Sequence, residues 1–238
     1  SICLLTLIPS TAFASSSFYN ADLNKKPYSI LGNRLSMKLP VGTKKQLSAL
    51  GSGHNIFDKV HVLKFEKSGL KVRFVIKELF AIRSDNFNAG LVKLLQKYPQ
   101  ISGIKYRISS VDRNRFLVEP SKIYLKNKMS LIRSLFLVTP DNTVISVDVF
   151  MNDRAANNQK HSIDLAMRIL LTAKSGKRKL IKGPKKVTLG ATNGAYPLRF
   201  YLPRGYVLST KKNAHARVHI INKLIPVGES QSSLAIYI

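Results

Sequence analysis

Leu35-Ser36-Met37-Lys38-Leu39-Pro40-Val41-Gly42 decides the reading of this chain, because Leu198-Arg199-Phe200-Tyr201-Leu202-Pro203-Arg204-Gly205 repeats it. Four of the eight positions are identical and Met37 is answered by Phe200, so each copy reads as a strand running into a Pro-x-Gly turn. Leu35, Met37 and Leu39 alternate with Ser36 and Lys38, the period of a half-buried strand. The likeness continues downstream. Lys59-Val60-His61-Val62-Leu63 is mirrored by Arg217-Val218-His219-Ile220-Ile221, and residues 71–76 by residues 233–238. These recurrences point to a duplicated unit whose second copy stops inside a strand at Ile238, so the chain is expected to continue beyond it.

Working outward, strands are expected at residues 60–63 and 70–77, joined by a turn at Ser68-Gly69. In the second of these, Leu70, Val72, Phe74 and Ile76 alternate with Lys71, Arg73, Val75 and Lys77, which gives one apolar and one largely basic face. Further strands are read at residues 104–108, 115–118, 122–126, 131–139 and 143–151, the last two joined at Pro140-Asp141-Asn142. A helical turn is read at residues 44–50. Phe87, Leu91, Leu94, Leu95 and Tyr98 recur at helical spacing between an Asp85 cap and Pro99, and a second helix covers residues 160–174, with Ile163, Ala166, Met167 and Leu170 inward. Strands in a run with helices near each end predict an α+β class, a mainly antiparallel sheet flanked by helices.

Residues 1–14 end in Thr11-Ala12-Phe13-Ala14 after an apolar run, the pattern of a secretory signal remnant. Residues 15–28 read as an extended leader, 29–173 as a first domain, 174–186 as a basic linker, and 187–238 as the start of a second, similar domain. The linker holds seven Lys or Arg in thirteen residues. The one cysteine, Cys3, lies inside the signal, which leaves the mature chain without thiol nucleophiles, disulfides or zinc-thiolate sites. Export to a bacterial periplasm or the extracellular medium is the expected localisation.

The first unit resembles the PsbP-like superfamily. The resemblance rests on Leu39-Pro40-Val41-Gly42 and on the strand at residues 144–151 followed by the helix at residues 157–174, and the aromatic residue that often follows the Pro-x-Gly is missing. It implies an α/β/α sandwich that binds other macromolecules rather than catalysing. It carries over no binding residue.

The formal charge of +27, with 39 Lys or Arg against 12 Asp or Glu, favours anionic polymers or surfaces. No G-x-S-x-G elbow, P-loop or Rossmann glycine pattern occurs, and Glu66, Glu78 and Glu119 are scattered among basic residues rather than paired. His215 and His219 share a strand face but stand roughly 13 Å apart, too far for one ion. No catalytic residue, metal ligand or cofactor is therefore assigned. The candidate binding residues are His61, Lys71, Arg73, Lys77, Lys105 and Arg107, read as one basic sheet face, with Lys177, Arg178 and Lys179 of the linker. The function expected is an exported, non-enzymatic binding or assembly protein that engages a partner protein or an anionic envelope component. The alternative is a secreted hydrolase whose site lies between the units or beyond Ile238. Nucleic acid is a third, less favoured partner, because aromatic residues are poorly interleaved with the cations.

Overall fold

The computed structural model describes residues 21–46, 60–67, 69–79, 81–82, 89–92, 106–121, 125–126, 129–152, 159–177, 179–190, 196–212, 217–226 and 233–237. The signal remnant at residues 1–14 lies outside them, as do Leu94, Leu95 and Tyr98 of the first expected helix. The largest element is an eight-stranded antiparallel sheet of β3 (Lys44–Gln46), β4 (Val60–Lys67), β5 (Leu70–Leu79), β11 (Val144–Asn152), β10 (Met129–Val138), β8 (Arg115–Pro120) and β7 (Tyr106–Asp112), in that order, with β9 (Leu125–Lys126) also on β10. Helix α1 (Gln159–Leu170) lies on one face, where its Leu165, Ala166, Ile169 and Leu170 join Phe74, Ile76, Leu135, Ile145 and Val147 in the main core. The stripe keeps the expected 3.6-residue period but is centred on Leu165 and Ile169, while Ile163 and Met167, expected inward, are only partly buried at its margin.

On the other face, Phe116, Val118, Phe136, Val138 and Val144 form a second cluster with Leu91 from the helical residues 89–92. Strands β10 and β11 are therefore buried on both sides, whereas β5 alternates buried and solvent-facing residues along Leu70 to Arg73. Strand makes up 61% and helix 11% of the described residues. The molecule is thus mostly antiparallel β-sheet and corrects the expected α+β, α/β/α sandwich with flanking helices. Part of the difference is local. Lys44-Lys45-Gln46, read as a helical turn, is drawn out as β3 by its pairing with Lys64, Leu63 and Val62.

The opening motif begins in β2 (Leu35–Met37), which pairs on one side with β1 (Tyr28–Ile30) and on the other with β12 (Lys174–Ser175). Residues of the leader dock on its turn: Asn24 N–H donates to Leu39 O and Val41 N–H to Asp22 O, each at 2.9 Å. The Pro-x-Gly turns of both copies have one geometry. Gly42 has φ +89° and Gly205 φ +79°, and the Thr43 and Tyr206 N–H groups donate to Pro40 O and Pro203 O at 3.1 and 3.3 Å. A left-handed third residue is what makes glycine the fitting choice there.

The second unit has β14 (Lys185–Leu189) paired with β15 (Leu198–Leu202), and a four-stranded sheet of β13 (Ile181–Lys182), β16 (Tyr206–Lys212), β17 (Arg217–Lys223) and β19 (Ser233–Tyr237). Its order β16-β17-β19 follows β3-β4-β5. His219 faces Ile236 as His61 faces Ile76, and Ile221 faces Leu234 as Leu63 faces Phe74. Ile236 therefore takes the place of Ile76, two residues away from the alignment the sequence suggests. The stretch read as a linker contributes β12 to the first unit and β13 and β14 to the second, so the passage between them narrows to residues 176–180. A short parallel pair, β18 (Ile225–Pro226) with β6 (Ala81–Ile82), also joins the two units.

The two equivalent histidines differ in burial: His61 is half-buried, His219 only 7% exposed. Burial and the neighbouring Arg217 hold the His219 imidazole below the usual histidine range, and its Nδ1 lies 3.0 Å from Thr210 Oγ1. A base whose folded pKa is depressed contributes stability at pH above the unfolded value of about 6.5, and that stability is lost as pH falls. Urea midpoints should therefore drop between neutrality and mildly acidic pH, and His219→Gln should flatten that part of the profile. An unchanged slope in the variant would mean that another group sets it.

Candidate anion-binding surfaces

Cross-strand neighbours in an antiparallel sheet share a face, so the register places each expected binding residue. Lys71 lies opposite Glu66, Arg73 opposite Lys64 and Phe150, and Lys77 opposite Ser146, all on the face away from α1. His61 lies opposite the fully buried Ile76 and so belongs to the α1 side. Arg107 lies opposite Glu119, one step out of phase with Ile108 and Val118, and it too belongs to the α1 side. Strands β5 and β7 are separated by β11, β10 and β8. The expected basic face is thus divided: Lys71, Arg73 and Lys77 come together, and His61 and Arg107 do not join them. Lys105 and Arg178 lie outside the described residues, and Lys177 and Lys179 are exposed in the passage between the units.

Counter-charges reduce the first-unit surface further. Lys77 Nζ lies 3.9 Å from Asp148 Oδ2, with both side chains mostly buried. Burial pushes the Asp148 carboxyl above its usual range, and Lys77 acts against that shift. Arg107 donates from Nε to Glu119 at 2.9 Å, and Arg133 lies 3.6 Å from the same carboxylate. Lys71 is 3.2 Å from Glu66, but both are exposed, and such a pair is worth only about 0–1 kcal/mol. Lys44, Lys64, Lys71 and Arg73 therefore remain as the exposed cations of this face, Lys44 lying opposite Lys64.

The sequence signal that reading strand by strand misses is the position of the acids. Residues 165–228 contain fourteen Lys or Arg and no Asp or Glu. The ion pairs that described residues make with one another all lie in the first unit, on Glu66, Glu78, Asp112, Glu119, Asp141 and Asp148. In β14 and β15, Val187, Leu189, Phe200 and Leu202 turn inward with Leu208 and Ile221. The opposite face carries Lys186 directly across from Tyr201, and Thr188 across from Arg199, all exposed. Tyr201 is 59% exposed, and at the loop end of the hairpin Tyr196 and Leu198 are 97% and 42% exposed.

A different charged cluster is wholly structural. Arg34, 3% exposed, reaches Glu78 through Nε, Asp141 through Nη1 at 2.8 Å, and Thr143 Oγ1 through Nη2 at 2.6 Å. Asp141 also accepts from the Leu180 N–H at 3.0 Å and from Thr139. Burial alone would raise the Asp141 carboxyl, but the Arg34, Thr139 and Leu180 donors hold it far below the usual carboxylate range. Nothing in the sequence marks Arg34, whose acidic partners lie 44 and 107 residues away.

Among the described residues no group of three or more His, Cys, Asp or Glu is placed to hold a metal ion, and no helix is long and apolar enough to cross a membrane. No family model matches the chain, and no curated protein or solved structure matches it either.

Proposed function

We propose that this is an exported, non-enzymatic binding protein that engages an anionic envelope component, with the second unit and the passage before it as the principal contact. The observation that carries this reading is the acid-free run of residues 165–228, where Lys177, Lys179, Lys182, Lys185, Lys186 and Arg199 are exposed in a segment that has no carboxylate of its own. A large excess of positive charge costs stability through self-repulsion, and an anionic partner offsets that cost. Lys44, Lys64, Lys71 and Arg73 on the first unit supply a second, smaller basic area.

The test is retention of the full chain on immobilised lipopolysaccharide, peptidoglycan and anionic vesicles across a salt series. Exposed charges separated by more than a Debye length, about 10 Å at 0.1 M salt, are largely screened, so retention should fall steeply as salt rises. Failure to bind any of the three at low salt would remove the proposal.

A further inference from the structure

We propose that β19 is an interface between two copies of this chain, in which the edge strands of their second units pair antiparallel about a twofold axis. It stands apart from the anion-binding reading and uses a different part of the second unit. β19 closes the order β13-β16-β17-β19, with β17 on one side and no partner on the other among the described residues. A strand so placed presents unpaired N–H and C=O groups, and natural sheets blunt such edges with charge, bulges or brevity. The other described edges follow that rule. β7 carries Arg107, Asp112 and a register shift between Ser110 and Asp112, β14 carries Lys185 and Lys186, and β15 carries Arg199. β1 and β3 have three residues each, and β12 and β13 two. Ser233-Leu234-Ala235-Ile236-Tyr237 runs for five residues without a charge, glycine, proline or register shift.

The first unit shows what such an edge takes. β5, the counterpart of β19, pairs with β4 on one side and antiparallel with β11 on the other, where Val149 lies opposite Phe74 and Val147 opposite Ile76. Phe74 and Ile76 are fully buried there, whereas Leu234, in the place of Phe74, is 59% exposed and Ile236 is only partly buried. β19 can serve as its own antiparallel neighbour. Opposite residues keep to one face only if the twofold axis passes through a pair of like residues, and centring it on Ala235 pairs the whole strand. Leu234 then lies opposite Ile236 of the second copy, and Ile236 opposite its Leu234, apolar pairs like those between β5 and β11. Charge selects the same place. Two copies of a chain with a formal charge of +27 repel, and the uncharged β19 lets their backbones meet without setting cation against cation.

Sedimentation equilibrium of the full chain measures the pairing. Dimers should form as protein concentration rises and should tighten with salt, because screening relieves the repulsion between copies. That is the opposite of the salt response expected of retention on anionic supports. Leu234→Lys removes two apolar pairs by symmetry and should weaken dimerisation about tenfold or more. Tyr196→Lys, the same change of charge at a side chain 97% exposed on the same unit, should leave it nearly unchanged. Leu234 is itself exposed, and matching circular dichroism spectra check that its variant remains folded. In a Cys3→Ser background, Ala235→Cys should form an intermolecular disulfide on mild oxidation. Opposite Cα atoms of an antiparallel pair stand about 4.5–5.5 Å apart, within disulfide reach. A chain that stays monomeric at every concentration would overturn the proposal and leave the edge to a strand of different sequence. Dimers that Leu234→Lys leaves intact, or that Ala235→Cys does not trap, would overturn it by placing the contact elsewhere. Each of these results leaves the anion reading standing, and failure to bind the anionic supports would leave the dimer standing.

Discussion

Arg34→Met should cost the first unit about 3–5 kcal/mol, the largest effect expected of any single substitution in the described structure. The methionine fills much of the same space, so loss of packing is not the main term. Glu78 and Asp141 would be left 1% and 6% exposed without the guanidinium that neutralises them, and Thr143 would lose a donor. Removing one partner of a buried charged cluster leaves uncompensated charge in a low dielectric, which is far more damaging than never having had the cluster. Against a typical stability of about 5–15 kcal/mol, such a loss puts folding at physiological temperature in question. Urea denaturation at neutral pH measures it. The triple variant Arg34→Met, Glu78→Leu, Asp141→Asn should recover a substantial part, because it removes the stranded carboxylates as well. A triple variant no more stable than the single one would show that the guanidinium's packing, not its charge, matters.

Gly176→Ala should cost about 3 kcal/mol, at the upper end of what overpacking does. A Cβ at Gly176 would lie 2.0 Å from Asn33 O and 2.8 Å from the Arg34 carbonyl carbon. Those are backbone atoms, so no change of rotamer relieves the clash. The Gly176 N–H also donates to Arg34 O at 2.7 Å, which couples the site to the segment that presents the guanidinium. Widening the gap would therefore disturb both the β2–β12 pairing and the Arg34 cluster. Gly190→Ala makes a suitable control, since nothing lies within 4 Å of its would-be Cβ. A Gly176 variant as stable as this control would mean that the passage between the units has slack.

These two positions also show where the sequence can be read and where it cannot. Alternation in β2 and β5, the helical period of α1 and the two Pro-x-Gly turns are local patterns, and each appears at its expected place in the structure. Pairing between distant strands is not local. His61 and Arg107 group with Lys71 and Arg73 when each strand is read on its own, yet the register turns both toward the α1 side. Residues 174–186 read as a linker because glycine and lysine dominate them, but β2 and β16 draw parts of them into strands. Periodic segments predict a flanking layer of helices, while strand dominates the described structure. The Arg34 cluster has no signal at all, since a single arginine before a strand is ordinarily a surface residue. The acid-free run at residues 165–228 is plain in the sequence. It becomes informative once the ion pairs of the first unit are known, because they show which cations already have counter-charges.

Hydrogen exchange of the full chain, with and without phosphatidylglycerol-containing vesicles, tests most directly whether the second unit is the binding surface. Protection gained in β14 and β15 and in the exposed residues 177 and 179, with β4 and β5 unchanged, is the predicted result. Protection confined to β4 and β5, around Lys64, Lys71 and Arg73, would contradict it and place the contact on the first unit.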